Sequence, residues 1–231
     1  APANQSVAPT AEQAPATPSV AADNPADEDS SLPYATAATT PHEYTLVDNI
    51  TDLQQVVERI SRCEEFCFDT ETTGFDLYND RIVGLSLAIE PHKAWYISFT
   101  PEKTAAFAEA VRPLFENEAI TKVAQNIKFD MMVLSRLGIE VRGEKIDTMI
   151  LHYLLDAESR HNMNFLAERY LNYTPIAIET LIGKGAKQLT MDLVNIERVA
   201  EYAAEDVDIT LQLKHKLYPE VEKLGMMELY E

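Results

Sequence analysis

The pattern of apolar and polar positions changes abruptly near Tyr44. Residues 1–43 are Ala, Pro, Thr, Ser and Gln with scattered acids, hold seven of the chain's twelve prolines and show no recurring apolar face. Such a stretch buries too little surface to offset its ordering entropy, so it reads as a disordered acidic linker preceding a folded domain over 44–231. Beyond it, Tyr44–Val47 reads as a short strand and Asp52–Arg62 as a helix carrying Leu53, Val56, Val57 and Ile60 at helical spacing. Phe66-Cys67-Phe68 is apolar without alternation, the mark of a strand covered on both faces. Arg81–Ile89 and Ala94–Phe99 form two further strands around a Pro91-His92 turn, and Thr100-Pro101 reads as the start of a helix running to about Phe115. Ala119–Ala124 is a strand, Ile127–Leu137 a helix closed by Gly138, and Ile139–Asp147 the last strand. Helical spacing returns over Thr148–Leu155, Met163–Leu171 and Ile196–Lys223, with a loop through Thr174-Pro175 and Gly183-Lys184-Gly185. Strands first antiparallel, then alternating with helices, indicate an α/β layered domain on a mixed sheet of about five strands flanked by helices.

Three of these elements carry carboxylates where the pattern calls for apolar residues or a strand end. Asp69 and Glu71 close the Phe66 strand and, two apart, project from the same face. Asp130 falls three residues after Ile127 and four before Leu134, on the apolar stripe of its helix. Asp206 interrupts a face running through Val199, Tyr202, Ala203, Ile209 and Leu213, with Tyr202 one turn before it, while Glu205 and Asp208 read as solvated charge. Buried carboxylates are costly singly, and the same violation on three elements favours one shared site. Oxygen-only ligands suit Mg or Mn, and a pair of divalent ions is the usual arrangement for in-line attack on a phosphodiester.

Composition narrows the setting. The 231 residues carry a formal charge of −19, which argues against a general nucleic-acid binder. Six of those charges precede Tyr44, leaving −13 for the domain, and a two-cation site needs several acids of its own. Cys63 and Cys67 suggest neither a disulfide framework nor a zinc site, so a reduced cytoplasmic protein is expected. No apolar run approaches membrane-spanning length. The start at Ala1-Pro2-Ala3, without Met or a signal segment, suggests a piece of a longer chain.

In order, Asp69-x-Glu71, Asn126-x-Lys128-Phe129-Asp130 and Tyr202-x3-Asp206 resemble the three motifs of the DnaQ-like, or DEDDy, 3′-to-5′ exonucleases. The blocks Gln125–Asp130, Arg160-His161-Asn162-Met163, Leu166-Ala167-Glu168-Arg169, Gly183-Lys184-Gly185 and Tyr202–Asp206 resemble the proofreading domains of bacterial DNA polymerase I, from about Tyr44 onward. The resemblance implies an RNase H-like fold and two divalent cations, Mg or Mn. Asp69 would bridge them, Glu71 and Asp206 would complete one site, and Asp130 would support the second. Tyr202 and Glu71 would orient the attacking water. Thr70, Thr72, Phe75, Gln125, Asn126, Phe129, Arg160 and Ile178 would hold the terminal nucleotides. Phe129 stands where many relatives have Tyr, Ile178 where an aromatic is frequent, and Phe75 where Leu is common. The implied partner is the 3′ end of single-stranded DNA. A polymerase domain would follow in the full chain, which is expected to act as a monomer at the bacterial nucleoid. Two alternatives remain open: an exoribonuclease resembling RNase D, and a non-catalytic domain retained for structure or strand binding.

Overall fold

The computed structural model describes residues 34–76 and 78–230; of the linker expected over residues 1–43, residues 1–33 lie outside them. Among the described residues six strands form one sheet: β1 (Glu43–Val47), β2 (Glu65–Thr72), β3 (Ile82–Glu90), β4 (Lys93–Ser98), β5 (Thr121–Ala124) and β6 (Lys145–Asp147), in spatial order β1-β4-β3-β2-β5-β6. β2, β3 and β4 pair antiparallel, whereas β1 joins β4, and β5 joins β2 and β6, in parallel. The sheet thus has six strands rather than about five, and β1, the strand expected over Tyr44–Val47, forms a parallel edge from Glu43 beside Lys93 to Val47 beside Ile97.

Among the described residues eight helices flank the sheet: α1 (Ile50–Ile60), α2 (Thr104–Glu116), α3 (Ile127–Arg136), α4 (Thr148–Leu155), α5 (Met163–Leu171), α6 (Glu179–Ile182), α7 (Ile196–Lys223) and α8 (Met227–Tyr230). β2 is central and buried on both faces. Phe66 and Phe68 pack edge-on against Phe115 of α2, in the layer formed with α1, α2 and α3. Cys67 points the other way, into the core built with α4, α5 and α7. Each fully buried Phe contributes about 1.5–3 kcal/mol by leaving water, so this alternation anchors the strand in register and decides which way Asp69, Thr70 and Glu71 face.

Three local expectations change. The helix expected from Thr100 begins at Thr104: the Thr100 carbonyl accepts from the amides of Lys103 and Thr104 and from the Thr104 hydroxyl, making a turn of Thr100-Pro101. The strand expected over Ile139–Asp147 shortens to Lys145–Asp147, because Gly143 has φ 74° and lies where a Cβ would meet the Glu118 backbone at 2.5 Å. The loop after Pro175 contains α6 and two 3₁₀ turns, Gly185–Lys187 and Met191–Leu193. The stretch 34–42, linker-like in composition, is tied to the domain: Ala35 exchanges backbone hydrogen bonds with Asn172 and Thr174, and His42 stacks on Tyr44.

Candidate active site

The site forms where β2 runs out between α3 and α7. Alternation along the strand sends Asp69 and Glu71 toward α7 and Thr70 toward α3. The pairing of β2 with β3 shifts register between Glu71 and Thr72, so the regular ladder ends at the second acid. Opposite Glu71 lies Gly84, where a Cβ would stand 2.1 Å from the Tyr96 ring, so only glycine admits that aromatic ring beside the strand end. From α7, Asp206 completes a group in which one carboxylate oxygen from each of Asp69, Glu71 and Asp206 lies within 4.8 Å of the others. Asp130 approaches from α3, only 2% exposed, and one of its oxygens accepts both the Thr70 amide at 2.9 Å and the Thr70 hydroxyl at 2.5 Å.

Carboxylates gathered at one strand end resist ionisation. Burial, then the charges of Asp130, Glu71 and Asp206, raise Asp69 well above the usual range. Burial, and then Asp130, push Glu71 up to about 7. Asp130 is also raised to about 7 by burial, against the opposing pull of the Thr70 hydrogen bonds. Burial and the Glu71 charge raise Asp206, and its Oδ1 is buried without a hydrogen-bond partner among the described residues. A buried carboxylate oxygen left unpaired costs roughly 1–3 kcal/mol or more. An oxygen-only donor set with one oxygen unsatisfied fits a hard divalent cation such as Mg or Mn. Tyr202, one turn before Asp206, is held protonated by burial and by the neighbouring Asp206 and Glu71 charges.

The acids lie in a cleft of about 470 Å³, whose walls include Phe75, Phe129, Ile178, Leu189 and Met191. A model of the 3′–5′ exonuclease family matches residues 44–222. The chain belongs to this family. Curated relatives include DNA polymerase I of Pseudomonas aeruginosa, 36% identical over 193 residues, covering 79% of this chain and 21% of the relative. DNA polymerase I of Rhizobium leguminosarum is 34% identical over 223 residues, covering 84% and 22%. The chain therefore spans about a fifth of the length of these relatives. Among solved structures, Brucella melitensis NrnC has a TM-score of 0.61 at 19% identity, covering 81% of this chain and 84% of that one. The catalytic core of RRP6 from Trypanosoma brucei has a TM-score of 0.64 at 19% identity, covering 84% and 50%. These likenesses match the RNase H-like architecture described above.

Seven of the eight expected nucleotide-holding residues of this exonuclease domain line the cleft: Thr70, Thr72, Phe75, Gln125, Asn126, Phe129 and Ile178. Phe75 is 87% exposed, with its ring 6.0 Å from that of Phe129. The two threonine hydroxyls are engaged internally, Thr70 with Asp130 and Thr72 with the Gly74 carbonyl at 2.7 Å. Gln125 is held from both sides, donating to the His161 carbonyl at 2.7 Å and accepting from the Thr148 hydroxyl. Asn126 sits at φ 59° at the head of α3. Arg160 is the exception, an exposed residue between α4 and α5 that does not line the cleft.

Sequence reasoning missed two features. One wall comes from Gln188, Leu189, Thr190 and Met191, a stretch with no periodicity whose only signal is the preceding Gly183-Lys184-Gly185. The other is Asp147, 3% exposed, whose carboxylate accepts the amides of Asn126, Ile127 and Met149 and so fixes the starts of α3 and α4 together. Its position at the end of a short strand, just before a helix, was the available signal. Glu205 and Asp208 correct an expectation: both are buried, at 0% and 1% exposure, because the middle of α7 is covered by the sheet and by α4 and α5 rather than presenting a solvated face.

Proposed function

We propose that this chain is a divalent-metal-dependent 3′-to-5′ exodeoxyribonuclease of the DEDDy type. It would remove nucleoside 5′-monophosphates from single-stranded or frayed DNA ends, as the proofreading unit of a longer bacterial chain that also carries a polymerase domain. The observation that carries the reading is the trio Asp69, Glu71 and Asp206 with oxygens within 4.8 Å and Asp206 Oδ1 buried and unpaired. The likeness to two bacterial DNA polymerase I chains supports DNA as the substrate.

In this reading Asp69, Glu71 and Asp206 would hold one cation, and Asp69 with Asp130 a second. When bound, such ions supply Lewis-acid stabilisation of the phosphate and of the leaving 3′ oxygen. Thr70 keeps Asp130 facing the strand end through its two hydrogen bonds. The Glu71 carboxylate accepts a hydrogen bond from the attacking water, and Tyr202, which stays protonated, donates one to it. The water oxygen bonds to phosphorus and its proton is lost to solvent, while the bond to the 3′ oxygen of the preceding nucleotide breaks and that oxygen takes up a proton from solvent, releasing the terminal residue with its 5′ phosphate. Phe75 and Phe129 offer apolar faces to the last bases, which makes binding tolerant of sequence. Gln125, clamped by Thr148 and His161, presents an oriented amide to the terminal nucleotide.

The domain boundary near Tyr44, the monomeric state and a place at the bacterial nucleoid belong to the same proposal; among the described residues no helix is long and apolar enough to cross a membrane. The test is digestion of matched 5′-labelled DNA and RNA oligonucleotides with Mg or Mn. Stepwise shortening of the DNA from its 3′ end, yielding 5′-monophosphates, is expected. Preferential shortening of RNA would favour an exoribonuclease, and no cleavage together with no Mn binding by calorimetry would favour a non-catalytic domain.

A further inference from the structure

The chain carries nineteen Lys and Arg residues against thirty-eight acids, and most of the cations are already engaged. Fourteen of the nineteen donate to a carboxylate or to a backbone carbonyl. Among the described residues Lys128, Arg160, Lys184, Lys187 and Lys216 do neither, and all five are exposed. Their placement is uneven. Lys128 lies between cleft-lining Asn126 and Phe129, Arg160 adjoins the residue whose carbonyl holds Gln125, and Lys184 and Lys187 fall between cleft-lining Ile182 and Gln188. Only Lys216 is remote, between two and three turns beyond Asp206 on α7.

The segment bearing Lys184 and Lys187 is a closed excursion rather than a loose loop. Its base is pinned where the Leu189 amide donates to the Ile182 carbonyl at 2.8 Å, and its tip is a 3₁₀ turn closed by Gln188 donating to Gly185 at 3.0 Å. Gly183 and Gly185 take φ of 80° and 69°, conformations other residues rarely adopt, so the backbone chemistry selects this shape. Both ends of the excursion belong to the cleft wall, and on it stand two ammonium groups that have no partner among the described residues.

An acidic molecule repels a polyanion everywhere except where free positive charge is gathered, and such local charge both attracts the strand and directs its approach. We infer that Lys184 and Lys187 form a phosphate-binding rim that holds the backbone of the substrate strand upstream of the scissile bond, giving the enzyme a preference for strands several nucleotides long. This rests on the exonuclease reading above. Their role is positioning: they touch phosphates that do not react. A dinucleotide has no phosphate upstream of its single scissile bond, so it cannot use the rim.

The test pairs a Lys184→Gln/Lys187→Gln double variant with a Lys216→Gln control in the full chain. Two quantities are read: the salt dependence of the Kd for 5′-labelled octathymidylate in Ca²⁺, and the ratio of kcat/KM for octathymidylate to that for a thymidine dinucleotide in Mg or Mn. In the double variant the slope of log K against log salt should shrink by about 1.4, from about 0.7 per lost cation, and the ratio should fall roughly tenfold at low salt. The control should match the unmodified protein. Unchanged slope and ratio in the double variant would overturn the rim, as would an equal loss in Lys216→Gln, which would make it an effect of net charge. Failure of the unmodified protein to degrade the octanucleotide would instead sink the exonuclease reading, while the salt slope would still report on the two lysines.

Discussion

Two sets of buried acids share the same long helix and could hardly be treated more differently by their surroundings. Glu205 accepts the Tyr173 hydroxyl at 2.7 Å and the Ile176 amide at 2.6 Å. Asp208 accepts the Tyr44 hydroxyl at 2.7 Å, the His92 amide at 2.8 Å and the Gln212 side chain at 2.8 Å. These two hold α7 to the edge strand, to the turn between β3 and β4, and to the chain after α5. Asp206, between them in sequence, faces Asp69 and Glu71 and keeps one oxygen unpaired. Burial of a carboxylate is thus no mark of function by itself. Donors to both oxygens make it a structural joint, whereas an oxygen left without a donor beside other carboxylates leaves it able to bind a cation.

The sharpest way to break this contrast is Asp206→Ala. It should lower exonuclease turnover by at least about 10²–10³-fold and weaken Mn binding by calorimetry. The metal-free protein should melt no lower than the unmodified one, because one of several mutually repelling carboxylates is gone. A large fall in metal-free Tm would put Asp206 with the structural acids instead.

Tyr202→Phe comes next. It keeps the ring and removes the hydroxyl, so turnover should fall about 10²-fold while Mn and single-strand affinities hold. Cleavage at the unmodified rate under saturating metal would leave Tyr202 a packing residue.

Asp208→Ala should show the opposite profile. Stranding the Tyr44 hydroxyl and the His92 amide should cost about 2–4 kcal/mol of folding stability, read by urea titration, while the folded fraction retains its rate. Loss of activity without loss of stability would erase the distinction between the two sets.

A smaller effect follows from pH. Glu71 moves from 4.5 to about 7 and Asp130 from 3.8 to about 7. In that interval the metal-free folded protein retains protons that the unfolded chain has released. Their contribution to stability is therefore fully present below the unfolded values and is lost as pH rises toward 7. Differential scanning calorimetry in chelator should show this decline, and the Tm gain on adding Mn should grow over the same window, since ligands must be deprotonated to bind. A metal shift independent of pH would contradict the assignment of raised carboxylates to the metal site.

The smallest expected change concerns the N-terminal segment. Removing residues 1–33 should leave Tm nearly unchanged, whereas removal through His42 should lower it slightly. The second cut takes away the Ala35 hydrogen bonds beside Tyr173, the partner of Glu205, and the His42 ring on Tyr44, the partner of Asp208. Equal behaviour of the two truncations would show that this segment adds nothing to the structural acids.

What the sequence determined by itself was local and periodic. Alternation put Asp69 and Glu71 on one side of a doubly buried strand, helical spacing put Asp130 and Asp206 on apolar faces, and the motif order identified the family. These readings need only the repeat of each element, which the chain carries in its own residues. Tertiary packing decided the rest. Whether Glu205 and Asp208 meet water depends on what covers α7, and helical periodicity assumes one wet face where this helix has almost none along its middle. Thr70 was legible as part of a motif, yet only the approach of α3 turned both its donors onto Asp130. Asp147 capping two helices at once, and the wall from Gln188 to Met191, join residues distant in sequence through the meeting of elements. No pattern within a single element records such a meeting, and for that reason the acids could be found from the chain alone while the shape of the cleft around them could not.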